Sequence, residues 1–391
     1  MKTGIFSKKE FILIIVLGLI LGMRQIAVGI VTPFIASYTA SLTYGTLALG
    51  GICLGLTSLS KGLFQIPFGN LGDKLGNKRV ILIGLSLLLV GLLIILFSNN
   101  AYMFMLGRAL QGSGAIVGAG YALLSNLIKG EKRIEAISLV SVIVGIFSAI
   151  SLGFGPVLRD FMSIKEMYLL SIILVIVGIS LIIFLKDDKE HLSTKSKKIV
   201  LDKNEKKEYV HNLVPHKAFI GFLIIAFMTQ FVGVAGFFIV PQYLDKLIGQ
   251  DKMWIVFTPA ILLSLVIMKK SSRFLNSGHT KRITLLSGIC MLISIIILLD
   301  GKSLITVGLG TFFLFTAFNI LTTVIPVIAN KIAKDNFRGL VNGIVNTSLF
   351  IGNFIGASIL GILWTNFKSL AFILLIIGSI SIIIIAALYI E

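Results

Sequence analysis

The sequence predicts an all-α polytopic membrane protein, with twelve transmembrane helices in two pseudo-symmetric six-helix bundles. Three observations carry that expectation. Of the 391 residues, 56% are apolar and 13% charged, whereas soluble domains carry about 25% charged residues. Mean hydropathy is +1.01. The apolar residues gather into runs long enough to cross a bilayer, which takes about 20 helical residues. One long polar segment, 186–217, divides those runs six and six.

The first span, Phe11–Pro33, follows Lys2, Lys8 and Lys9. A basic start before an apolar run resembles a signal peptide. This run is too long, contains Arg24 and has no small-residue cleavage site, so it reads as an uncleaved span. Next come Thr46–Phe68, Val80–Phe97, Ala101–Ile128, Ile134–Leu158 and Met167–Leu185. After the polar segment come Ala218–Val240, Met253–Met268, Ile283–Leu299, Leu304–Ala329, Leu340–Trp364 and Leu370–Ile390. Helix is the default, because backbone polar groups in lipid must be satisfied within the segment. Runs such as Ile382–Ala387 lack the alternation of a barrel strand. The expected organisation is an N-terminal bundle over residues 1–185, a linker over 186–217 and a C-terminal bundle over 218–391. The linker carries nine Lys and six acids and is too short to fold alone.

Charge gives the orientation. Placing the N-terminus and every second loop on one side collects 26 of the 35 Lys and Arg residues there. The other side holds six, and Arg24, Lys61 and Arg108 lie inside spans. Basic loops face the cytoplasm, so both termini and the linker are expected there, in a cell membrane. The net charge of +18 is thereby explained by loop topology, and nucleic acid is not an expected partner. The two cysteines, Cys53 and Cys290, sit alone in apolar runs, and all four histidines fall in polar loops. No metal site, cofactor or nucleophile–base pair is expected, which argues against an enzyme.

Three motifs stand out. Gly69-Asn70-Leu71-Gly72-Asp73-Lys74-Leu75-Gly76-Asn77-Lys78-Arg79, between spans two and three, reads as a tight turn at the membrane surface. Lys269–Arg282, between spans eight and nine, echoes it, keeping Gly278 and the basic pair Lys281-Arg282 but no Asp. Such repetition is expected of a carrier built from two related bundles. Span four holds Leu106-Gly107-Arg108-Ala109-Leu110-Gln111-Gly112-Ser113-Gly114-Ala115, where Gln111 shares a helix face with Arg108. Arg108 is either a structural pin or a coupling or substrate contact. Span five holds Gly145 with Gly153-Phe154-Gly155-Pro156, and span eleven Gly352 and Gly356, small faces suited to close helix packing.

Together these motifs resemble those of the major facilitator superfamily of transporters. The stretches Leu63–Gly69, Leu106–Ile116, Ala122–Ser125 and Ala317–Asn319 are similar to the YajR-type group of drug-efflux transporters. The resemblance implies the twelve-helix fold, alternating access, proton-coupled efflux of a small molecule and a monomer in the bilayer. It implies a conformational gate at Gly69, Asp73, Gly76 and Arg79. It also implies a cavity lined by spans one, four, seven and ten, hence by Arg24, Gln25, Arg108, Gln111, Gln230, Asn319, Thr322 and Thr323. Two departures qualify it. Members of that group carry a C-terminal soluble domain, which this sequence is expected to lack, since Glu391 follows the last span. No Asp or Glu lies well inside a span, although a proton carrier usually needs one.

Arg24 leads to a further expectation. It gives the cavity a positive potential that favours anionic or amphipathic anionic substrates, or it pairs with a backbone carbonyl or remote acid and leaves the cavity near neutral. The leading expectation is a secondary transporter exporting small molecules with protons as the coupling ion. The alternative is an uncoupled facilitator or uptake carrier of a small organic solute, and the remote one is a membrane-embedded enzyme.

Overall fold

The computed structural model describes residues 6–114, 116–128, 130, 132–185, 217–276, 278–334 and 337–390, with backbone only for 66, 73 and 272–276. The expected linker and Ala115 lie outside the described residues, apart from Lys217.

Helix α1, Lys8–Gly29, opens on a capping box between Ser7 and Glu10. A short 3-10 turn, Thr32–Phe34, joins it to α2, Ile35–Ser41, so Pro33 sits in the turn. Then follow α3, Leu47–Leu75, α4, Asn77–Leu96, α5, Ala101–Ser113, α6, Ile116–Leu127, α7, Lys132–Arg159, and α8, Ile164–Phe184. The second half holds α9, Lys217–Gly233, α10, Ala235–Ile248, α11, Trp254–Asn276, α12, Thr280–Leu298, α13, Leu304–Ile332, α14, Arg338–Leu363, and α15, Lys368–Tyr389.

Two expectations need correction. The stretch Gly69–Arg79 is not a loop of eleven residues. Helix α3 continues through it to Leu75, because the stretch holds no proline and its glycines only weaken a helix. The chain turns at Gly76, whose φ of 90° an L side chain rarely adopts, and α4 starts at Asn77. The fourth expected span, Ala101–Ile128, is also not one helix. It breaks at Gly114 into pieces of 13 and 12 residues, about 20 and 18 Å long at 1.5 Å per residue. Eleven helical segments of the described residues are long and apolar enough to cross a membrane. The broken pair α5–α6 accounts for the twelfth.

The chain forms two compact units. Within the first, α1 packs on α7 and α8, and α4 packs on α5 and α8. Within the second, α9 packs on α14 and α15, and α12 packs on α13 and α15. Each half therefore packs its first span on its fifth and sixth and its third on its fourth and sixth, and the second half also packs its second span on its fourth. The second unit also takes in Pro33–Ser41 and Gly45–Ser58, the end of the first span and the start of α3.

Glycine decides how closely several of these helices approach. A Cβ at Gly352 would lie 2.2 Å from the Phe227 carbonyl oxygen, and one at Gly356 would lie 2.6 Å from that of Phe231. These two positions set the α9–α14 contact. In the first unit, a Cβ at Gly155 would lie 2.4 Å from the Ile30 carbonyl oxygen, and Pro156 sits in the last turn of α7. Gly145 and Gly153 differ from the expected packing role, since a Cβ at either meets no described atom within 4 Å.

Overpacking a close helix contact costs about 1–3 kcal/mol. Gly352→Val is expected to lower the thermal midpoint of the detergent-solubilised protein by several degrees, while Gly145→Ala leaves it unchanged. Equal melting of the two variants would contradict this account of the α9–α14 contact.

Candidate functional site

The first unit buries a polar cluster where α1 crosses the break between α5 and α6. An unbroken helix consumes its own carbonyls, but a break releases them. Gly114 ends α5 with φ −73° and ψ 67°, and its carbonyl accepts a hydrogen bond from Arg24 Nη2 at 3.3 Å. Arg24 Nη1 donates to Gln25 Oε1 at 3.2 Å. Its Nε is buried and finds no hydrogen-bond partner among the described residues.

One turn earlier on α5, Arg108 donates through Nη1 to Gln111 Oε1, as the i, i+3 spacing predicts. Gln111 in turn donates through Nε2 to the Ala27 carbonyl at 3.5 Å, tying α5 to α1. Arg108 and Gln111 are 1% and 0% exposed, so their polar groups are satisfied inside the protein. On α3, Lys61 is half-buried and close enough to feel the charges of Arg24 and Arg108. It has no hydrogen-bond or ion-pair partner among the described residues. Three cations thus share one region of the first unit, and no described acid pairs with Arg24 or Lys61.

The second unit places its expected site residues differently. Gln230 accepts through Oε1 from Asn353 Nδ2 at 3.2 Å, and Asn353 Oδ1 accepts from Ser58 Oγ at 2.9 Å. Asn319 donates through Nδ2 to Ser264 Oγ at 2.8 Å. Thr322 and Thr323 both donate to the Asn319 carbonyl, at 3.0 and 2.9 Å, so their hydroxyl protons are spent on their own helix. Both groups consist of neutral amides and hydroxyls. Asn353, Ser58 and Ser264 are weakly marked in the sequence. Their only signal there is a polar residue inside an apolar span.

At the gate motif, Gly69 has open space where a Cβ would project, and Arg79 is exposed. Lys78 donates to the carbonyls of Ile183, at 2.9 Å, and Leu185, pinning the end of α8. The Asp73 side chain lies outside the described residues. In the second half, Lys331 Nζ donates to Thr280 Oγ1 at 3.4 Å, tying the end of α13 to the start of α12.

Two six-span halves with one packing pattern, and a buried polar cluster at mid-helix, define a multi-pass membrane carrier. The chain belongs to the Major Facilitator Superfamily, whose sequence pattern matches residues 17–357. It is therefore a transporter and not an enzyme. It is 28% identical over 356 residues to the inner membrane transport protein YajR of Escherichia coli strain K12, covering 90% of this chain and 76% of YajR. It is 30% identical over 154 residues to the quinolone resistance protein NorB of Staphylococcus aureus, covering 39% of this chain and 32% of NorB. The crystal structure of a mutant of the nucleoside transporter NupG superposes with a TM-score of 0.77 at 12% identity, covering 97% of this chain and all of the other.

Removing an acceptor from a buried charged donor costs more than the ~1–3 kcal/mol of a neutral one, and more than replacing both partners by apolar groups. Gln111→Leu is expected to destabilise the protein in thermal melts, and Arg108→Met combined with Gln111→Leu to recover part of the loss. Additive losses would show that the two side chains do not act as a pair.

Proposed function

We propose that the chain exports a small organic anion, or an amphipathic molecule carrying an anionic group, by alternating access, with protons as the coupling ion. The observation that carries this reading is the cation cluster of buried Arg24 and Arg108 with half-buried Lys61. Arg24 has the carbonyl partner that would make a near-neutral site, yet a carbonyl supplies only a partial charge and leaves the guanidinium's full charge in place. A substrate carboxylate, sulfonate or phosphate supplies the missing opposite charge. Such charge complementarity offsets the several kcal/mol that desolvating each ion costs, to order of magnitude. Arg24 and Lys61 contact the anion in this reading, and Arg108, held by Gln111, keeps α5 in register with α1. Gln25 orients Arg24. Gln230, Asn319, Thr322 and Thr323 of the second unit are further candidate substrate contacts, as the family resemblance implies. Export is supported by similarity to a protein named for quinolone resistance.

A second reading, an uncoupled facilitator or uptake carrier, is favoured by the lack of Asp or Glu well inside any expected span. Flux of an organic anion from proteoliposomes, with and without an imposed pH gradient, separates the two. Gradient-dependent flux is expected, and indifference to the gradient would support the facilitator. Arg24→Gln is expected to lower flux of the anion at least tenfold while sparing an uncharged analogue. Transport indifferent to substrate charge that survives Arg24→Gln would overturn the anion reading.

We also place both termini in the cytoplasm, read the working unit as a monomer, and assign Gly69, Asp73, Gly76 and Arg79 to the conformational gate. Asp73 lies in the last turn of α3, the helix end where the dipole disfavours a carboxylate, and its charge would bias one state over the other. Asp73→Asn is expected to shift cysteine-accessibility labelling between the two membrane faces without changing the melting profile. Unaltered labelling would remove Asp73 from the gate.

A further inference from the structure

Helices α11 and α12 both pack along α13 but touch one another little, so a cleft opens between them. It holds a cavity of about 540 Å³, with Ile320 of α13 in its lining and Ser271 of α11 on one flank. The other flank is a single stripe of α12 and its leading residue. His279, Arg282, Leu286 and Cys290 recur at helical spacing and line the cavity in that order. From Arg282 to Cys290 the stripe descends about 12 Å at 1.5 Å per residue.

The chemistry changes along that descent. The upper end is basic, with Arg282 exposed, and Lys269 and Lys270, which precede the lining Ser271 in sequence, are also exposed. The sequences of α11, α12 and α13 contain no acid. Arg282 has no hydrogen-bond or ion-pair partner among the described residues. Below it, Ile283 and Leu286 are apolar, and Leu286 is 66% exposed, so the cavity opens sideways on the face where lipid lies. Ser287, only 2% exposed, also lines the cavity, and its hydroxyl is buried without a hydrogen-bond partner among the described residues. A buried hydroxyl left unpaired is costly.

We propose that this cleft is a binding site for an anionic glycerophospholipid. The phosphate sits against Arg282 at the basic end, an ester oxygen accepts from the Ser287 hydroxyl, and the first part of one acyl chain lies along Ile283 and Leu286. Each demand of the lining is met by one part of that molecule. Free phosphate satisfies the cation but leaves Leu286 and Ser287 unmatched. A zwitterionic lipid satisfies the apolar part but brings a cation towards the basic end. Basic pockets between spans on the cytoplasmic side are suited to anionic headgroups, and the charge distribution assigns this end to the cytoplasm. The inference does not depend on the substrate or direction proposed above.

The test uses the full chain, delipidated in detergent and offered equal amounts of phosphatidylglycerol and phosphatidylcholine, with retained lipid counted by native mass spectrometry. A basic residue near the headgroup is worth about a fivefold preference for the anionic lipid. That preference is expected in the unmodified protein and is expected to vanish in Arg282→Gln. It is expected to persist in Arg133→Gln, which removes an exposed charge on α7, and in millimolar inorganic phosphate. Equal retention of both lipids, equal loss in the two variants, or displacement by phosphate would overturn the proposal. A second measurement covers poor folding of Arg282→Gln. With Trp254 and Trp364 replaced by Phe, Leu286→Trp is expected to be quenched more strongly by brominated phosphatidylglycerol than by the brominated choline lipid. Equal quenching would likewise overturn it.

Discussion

Within hydrocarbon, an unmatched backbone amide or carbonyl costs several kcal/mol, to order of magnitude, because no water replaces the lost hydrogen bond. That constraint makes the spans helical, and it also governs where polar side chains go. Thr39, Ser171, Thr229, Thr284, Thr311 and Ser379 are all buried, and each donates to the carbonyl four residues earlier. The hydroxyls vanish into the helices that carry them. The break at Gly114 is the place where the rule yields something else. The Gly114 carbonyl there accepts from Ile116 N–H at 2.9 Å and, beside α1, from Arg24 Nη2 at 3.3 Å.

The two halves repeat a packing pattern but not a chemistry. In the first, charged groups are held by amide side chains and the Gly114 carbonyl at the helix break. In the second, amides and hydroxyls satisfy one another. The gate motif shows a similar division of labour. Lys78 is committed to the end of α8, whereas Arg79, its neighbour in the basic pair, faces outward.

Helix contacts explain both tight and open regions of the second unit. Glycine lets α9 and α14 approach until one backbone meets the other. Helices α11 and α12 carry large apolar residues towards lipid, among them Leu262, Leu263, Leu286 and Ile289, and do not close on each other. The cleft between them is the consequence.

The membrane class, the six-plus-six arrangement and the family are legible in the sequence, because hydropathy and loop charge are one-dimensional properties. The Arg108–Gln111 pair is legible too, since i, i+3 spacing fixes neighbours on a helix. The gate motif reads wrongly as a loop, because polar residues at a helix end look like a turn when only composition is considered. Folding in three dimensions was needed to reveal that span four breaks at Gly114 and that Arg24 answers that break from 90 residues away. The same holds for Asn353, which joins Ser58 to Gln230. Those contacts depend on which helix faces cross in space, and no spacing along one chain segment encodes that.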